Sequence, residues 1–260
     1  MSERQIPILV YHHVYAEDDP ELVAADFETG AGIIGVDAFR QQMTYARESG
    51  WNTVSTAEVV DWVEGVGDLP EKSFALHFDN GWLDTVTTAM PVTEDFGFSA
   101  MCFPITDGVE ASTQGRAAAV RTLTEGVVEK PFMTWDQIGE LVSGGWEIGA
   151  HTATHCKVAD MHESEGDAGV IREAEVANEI FDTRIGNVPA HFAYPSGSRN
   201  DRTDELLGAF YRSLRLWHFE PSAQWTYTDR TTSLLAIDCQ NIDLRVPMAD
   251  FESIFTQAGQ

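Results

Sequence analysis

Short apolar runs of strand length alternate with amphipathic segments of helical period from residue 7 to residue 211, and a chain so patterned has few folds open to it. Residues 7–14 form a β-branched and aromatic run. Residues 36–49 carry Phe39, Met43 and Ala46 at helical spacing and stop at Gly50. Residues 73–78 read as a strand, 84–96 as a helix closed by Gly97, and 99–105 as a nearly all-apolar strand of the kind buried on both faces. The pattern predicts further strands at 52–55, 146–150, 190–194, 214–217 and 234–237. It predicts helices at 56–64 and 134–142, with Thr56 and Thr134 as their caps, and at 164–185 and 201–211. Residues 106–130 are polar and irregular and read as a loop insertion placed to cover a site. No linker divides the chain. With 260 residues and 43% apolar content it can build one large domain, the size common for an α/β barrel.

Charge narrows the choice of partners. The net charge is −26, from 42 acidic and 16 basic residues, and only Lys72, Lys130 and Lys157 are lysine. Such a surface repels nucleic acid and anionic membranes. It is either an ordinary solvated acidic surface or an adaptation to high salt. No run of 18 apolar residues is present to span a membrane. Residues 1–10 lack the signature of a signal peptide, so the expected location is cytoplasmic, or extracellular or cell-surface if the chain has been trimmed. Cys102, Cys156 and Cys239 are odd in number and far apart, which implies no disulfide framework; Cys156 reads as a packed thiol.

Two of the predicted strands end in reactive groups. His77-Phe78-Asp79-Asn80-Gly81 follows the apolar run 74–76, and His151-Thr152-Ala153-Thr154-His155 follows 146–150. A carboxylate, an amide and two imidazoles at strand ends suit a divalent metal with a carboxylate base beside it. His151 and His155, at i and i+4, can face one way on a helical turn. Plainer uses exist for each group. Asp79 before Asn-Gly could cap a turn, and the histidines could be a hydrogen-bonded core residue and a surface one. His12 and His13 end the first strand, where alternation sends one toward a pocket and the other into packing. Trp217-His218 could stack on a sugar, though a core tryptophan is the plainer use.

These two segments and a third, at the end of the strand predicted at 190–194, resemble the motifs of the polysaccharide deacetylases of carbohydrate esterase family 4. Residues 77–81 are similar to that family's Thr-Phe-Asp-Asp-Gly, 151–155 to its His-Ser/Thr-x-x-His, and 192–197 (FAYPSG) to its third motif. The opening ILVYHH at 8–13 is similar to the branch that acts on poly-N-acetylglucosamine, and 133–138 (MTWDQI) and 144–149 (GGWEIG) also match. The resemblance runs from about residue 7 to about residue 213. It implies a single domain with a distorted (β/α)7-8 barrel, and a metal-dependent hydrolase that removes acetyl groups from an N- or O-acetylated carbohydrate. It implies Asp79 as the base that activates a water on the metal, and Asn80, His151 and His155 as metal ligands. Zn²⁺ is the expected ion, with Co²⁺ or Ni²⁺ as alternatives. The Tyr194 backbone N–H would help hold the oxyanion, and Tyr194, Pro195, Trp82 and His13 would line the substrate groove.

Two departures qualify the resemblance. Asn80 stands where the family has a metal-binding aspartate, and its amide oxygen brings no charge. The family's late Leu-x-His motif, which supplies the acid for the leaving amine, has no counterpart in 234–240 (LLAIDCQ). These departures leave two alternatives open: a metal-independent hydrolase of a small, cyclic amide on the same fold, or a catalytically impaired protein that binds glycan without turning it over.

Overall fold

Ser73–Asn80 is buried at every position and pairs in parallel with a neighbour on each side, as an apolar strand with no solvent face must. The computed structural model describes residues 4–28, 30–123, 125–218 and 224–259. Along the chain come β1 (Ile8–Tyr11), β2 (His13–Tyr15), α1 (Pro20–Ala24), β3 (Ile33–Gly35), α2 (Val36–Glu48), β4 (Asn52–Thr53), α3 (Thr56–Val63) and β5 (Ser73–Asn80). Then follow α4 (Met90–Asp95), β6 (Met101–Pro104), α5 (Thr106–Thr113), β7 (Ala119–Thr122), β8 (Gly126–Glu129), α6 (Trp135–Ser143) and β9 (Glu147–Ile148). The last part holds α7 (Val158–Ile185), β10 (His191–Ala193), α8 (Asp201–Leu207), β11 (Ser213–Arg215), β12 (Gln240–Asn241) and α9 (Met248–Ala258).

The parallel ladder runs β12-β1-β5-β6-β9. Beyond it, single parallel bridges carry the pairing round. Ala150, two residues past β9, meets Phe192 of β10, β10 pairs β11, and Arg215 of β11 meets Ile237, before β12. The parallel ladders and the bridges between them make a parallel α/β arrangement of the kind the sequence implies. Alternation sorts the side chains of β5. Phe74, Leu76 and Phe78 join the large cluster packed under the helices, while Ala75, His77 and Asp79 share the opposite face.

Several boundaries differ from those predicted. The first strand breaks at His12 into β1 and β2. The cap of α3 is Ser55, whose side chain and that of Glu58 form a capping box; Thr56 is the first helical residue. Thr134 caps α6 as expected, boxed with Gln137. Residues 106–130 are not a loop. They form α5 and the antiparallel hairpin β7–β8, whose Val120 and Val128 pack with Trp82, Ile105 and Phe132 in a small separate core. The long helix begins at Val158 and breaks at Gly166, whose φ of 66° is outside helical values. Residues 234–237 hold only a single bridge, and the strand there is β12.

Gly81, in the turn after β5, has φ 80°, and a Cβ there would lie 2.7 Å from the Pro104 Cβ. Gly81→Ala is expected to lower stability by about 1–3 kcal/mol, the range for a forced left-handed residue, read as a drop in melting temperature. A melting temperature equal to the parent's would show that the turn has another conformation.

Candidate active site

Both motifs open at the C-terminal end of the parallel strands, around a cavity of about 30 Å³. Asp79 is 1% exposed, and both its oxygens accept from Arg215 Nη2 of β11, at 2.5 and 2.6 Å. Burial alone would raise its pKa, but Arg215, then His151 and His12, outweigh it and hold the carboxyl at about 2. Arg215 also donates to the Leu216 carbonyl at 2.8 Å and lies over the Phe103 ring. Nothing local in the sequence marks Arg215 as the partner of Asp79, because 136 residues separate the two.

Asn80 has φ 72°, a left-handed value that Asn tolerates better than most residues. Its Oδ1 is buried without a hydrogen-bond partner. His151 and His155 do not share a helical turn, as i, i+4 spacing allows. They sit on the loop after β9, where Thr152 and His155 both take positive φ of 61°, and their rings lie 5.0 Å apart. Each ring is oriented through Nδ1, to the Ala193 carbonyl for His151 and the Arg121 carbonyl for His155, both at 2.8 Å. A main-chain carbonyl on one ring nitrogen is the arrangement that fixes the other for a metal. Burial lowers His151 to about 3 against the pull of Asp79, and lowers His155 as well, so both rings are neutral, the form that binds metal. Glu173 of α7 secures the loop, accepting from the Ala153 and Thr154 amides, each at 3.2 Å. Among the described residues no three His, Cys, Asp or Glu side chains form a metal-binding group. The third available donor is the amide oxygen of Asn80, and one amide oxygen with two imidazoles fits a borderline divalent ion.

The break between β1 and β2 turns His12 toward Asp79. Its Nε2 is 3.8 Å from Asp79 Oδ2, its Nδ1 is buried without a partner, and burial lowers its pKa to about 4. His13 lines the cavity, as the resemblance implies. Its Nδ1 bonds Asp84 at 2.7 Å and its ring stacks between Trp82 and Tyr15, which fixes it as part of the wall. Trp82 also lines the cavity, held at 0% exposure between His13 and Phe132. Tyr194 is placed differently from what the resemblance implies. Its backbone N–H donates to the Arg215 carbonyl at 3.0 Å and so is not free for an oxyanion, and its buried hydroxyl donates to Asp204 at 2.7 Å. Pro195 is buried, and it is Ser196, with φ 55°, that reaches the cavity wall. The hairpin β7–β8 adds Thr122, Leu123 and Glu125 to that wall.

His77, where the family has a small hydroxyl residue, lies one alternation below Asp79 and bonds Thr56 Oγ1 at 2.9 Å. His191 bonds Ser213 Oγ at 2.8 Å. Burial holds His77 well below its usual pKa and lowers His191 to about 4. Unfolded, both would protonate near 6.5, so the folded protein binds fewer protons, and stability falls as pH drops below that value. The urea midpoint should decline between about pH 6.5 and 4.5, and less steeply in His77→Gln. A midpoint flat over that range would mean these rings accept a proton in the folded state.

A parallel barrel with an Arg-held carboxylate, two carbonyl-oriented imidazoles and an orphaned amide oxygen at its strand ends has the form of a hydrolase centre. The chain belongs to the polysaccharide deacetylase family, whose model matches residues 66–210. A poly-beta-1,6-N-acetyl-D-glucosamine N-deacetylase of Escherichia coli (strain K12) is 29% identical over 120 residues, which are 46% of this chain and 17% of that protein's length. Among solved structures, the Streptococcus pyogenes deacetylase PplD in complex with acetate superposes with TM-score 0.76 at 20% identity over 100% of both chains. A de-N-acetylase from Aggregatibacter actinomycetemcomitans superposes with TM-score 0.77 at 17% identity, over 96% of this chain and 99% of that one. These likenesses establish the same fold.

Proposed function

We propose that this chain is a divalent-metal-dependent hydrolase that removes acetyl groups from N-acetylated sugars of a glycan. One observation carries the reading: Asp79, Asn80, His12, His151 and His155 converge on a single cavity at the C-terminal end of the barrel strands. The relative named for poly-β-1,6-N-acetylglucosamine supports an N-acetylglucosamine substrate. Asn80 Oδ1, His151 Nε2 and His155 Nε2 would hold the ion, with Zn²⁺, Co²⁺ and Ni²⁺ as candidates suited to these donors. A divalent cation there supplies Lewis acidity to the acetyl carbonyl and acidity to the attacking water.

The chain's own groups handle the protons. Asp79, pinned by Arg215, is anionic throughout the working pH range and accepts the proton of the attacking water. A carboxylate held that low keeps a proton only briefly. His12 Nε2, 3.8 Å away, is the neighbouring site that can take it and deliver it to the leaving amine. His12 thus fills the part left open by the missing late histidine.

Acetate release from an N-acetylglucosamine oligomer tests the reading. Activity should vanish on chelation and return with Zn²⁺, Co²⁺ or Ni²⁺. No acetate with any of these ions, from glycan or aryl acetate, would overturn it. Activity that survives chelation would instead favour the metal-independent amide hydrolase. Glycan binding by calorimetry without turnover would favour the impaired binder.

A further inference from the structure

Beside the cavity lies a groove of about 360 Å³ between the hairpin β7–β8 and the start of α7. Thr122 and His155 line both spaces, so the two adjoin. The cavity, at about 30 Å³, has room for an ion with one or two waters, each needing at least about 10–15 Å³, but not for a sugar ring. The groove falls within the range of about 300–1,000 Å³ typical of ligand sites. A glycan whose acetyl group enters the cavity would therefore lay a neighbouring sugar in the groove.

The charge of the groove runs against that of the chain. Every other Lys and Arg is held by a carboxylate, an amide oxygen or a carbonyl oxygen. Among the described residues the side chains of Arg121 and Lys157 alone have neither an ion pair nor a hydrogen bond, and both line this groove. Asp160 is the one carboxylate lining it with them. In a chain of 42 acidic and 16 basic residues, two unpaired cations lining one groove form a local positive patch in a negative field. The forked guanidinium of Arg121 matches the oxygens of a carboxylate or phosphate, and Lys157 adds a point charge.

We infer that this groove is a subsite for an anionic substituent, carboxylate or phosphodiester, on the sugar next to the one deacetylated. The inference rests on the deacetylase reading above. Its test compares three oligosaccharides of matched length that all contain N-acetylglucosamine: one neutral, one alternating with glucuronate, and one bearing phosphodiesters. At low salt, KM for at least one anionic oligomer should be about tenfold below that for the neutral one, and the preference should shrink as salt rises. Lys157→Gln and Arg121→Gln, the latter keeping its main-chain carbonyl, should each reduce the KM ratio. Together they should abolish it, and Lys157→Glu should invert it. Which anionic oligomer is preferred assigns carboxylate or phosphodiester. Equal KM values in the parent, or a ratio unmoved in the double variant, would overturn the subsite. Calorimetry with the same oligomers separates the two readings. Anion-dependent binding that needs Arg121 and Lys157, without acetate release, keeps the groove and removes the deacetylase. Turnover of the neutral oligomer with no anionic preference does the reverse.

Discussion

Asp79→Ala is expected to lose both turnover and a large part of the protein's stability. From the sequence, Asp79 reads as a base at a strand end, whose removal would spare the fold. The structure assigns it a second part, because it is the counter-charge of Arg215, and their side chains are 2% and 3% exposed. Removing one member of a buried pair leaves an uncompensated charge and costs about 3–5 kcal/mol. Removing the proton acceptor lowers the rate by about 10²–10⁴-fold. Asp79→Ala/Arg215→Met should regain much of the stability, since a buried pair can be replaced by apolar groups at little net cost, and should stay inactive. The pH dependence has a definite sign. The folded pKa of about 2 lies below the ordinary 3.8, so the pair's contribution is present above 3.8 and is lost as pH falls toward 2. Urea midpoints at pH 7 and pH 3, with kcat for acetate release, check all of this. An Asp79→Ala protein as stable as the parent would show that Arg215 has another partner.

Asn80→Asp should tighten metal binding by at least about tenfold, because carboxylate count governs the affinity of oxygen-containing sites. Asp adopts the left-handed backbone of position 80 nearly as readily as Asn, so the change adds charge with little strain. Without metal the new carboxylate lies buried beside Asp79, where burial and a like charge both oppose ionisation. The metal-free variant should therefore melt below the parent, and metal should raise its melting temperature by more than it raises the parent's. Calorimetric titration with Zn²⁺ and melting curves with and without chelator give both numbers. A rise in affinity together with a fall in activity would mean that the natural amide serves the reaction and would favour the metal-independent reading. No change in either would place the Asn80 side chain outside the site.

The sequence alone determined the features written locally. Alternating strand and helix periods specified a parallel α/β fold, because apolar spacing reflects which face of each element is buried, and the resemblance of the strand-end motifs implied its barrel form. A strand running into a glycine turn marked Asp79-Asn80, the end of a second strand marked His151 with His155, and the box of Thr134 with Gln137 marked the start of α6. Where two neighbours could both cap, as Ser55 and Thr56, the pattern did not distinguish them. The hairpin β7–β8 was not legible, because its strands are four residues each, sit in a polar stretch and bury little. Only the tertiary structure decided the roles that depend on approach through space. It paired Arg215 with Asp79 and turned His12, not His13, toward the carboxylate. It closed the Tyr194 amide into the pairing of β10 with β11, set Glu173 under the histidine loop, and left Arg121 and Lys157 unpaired in one groove. Such contacts join residues far apart in the chain, and their energies depend on burial and distance, which no local pattern of residue types encodes.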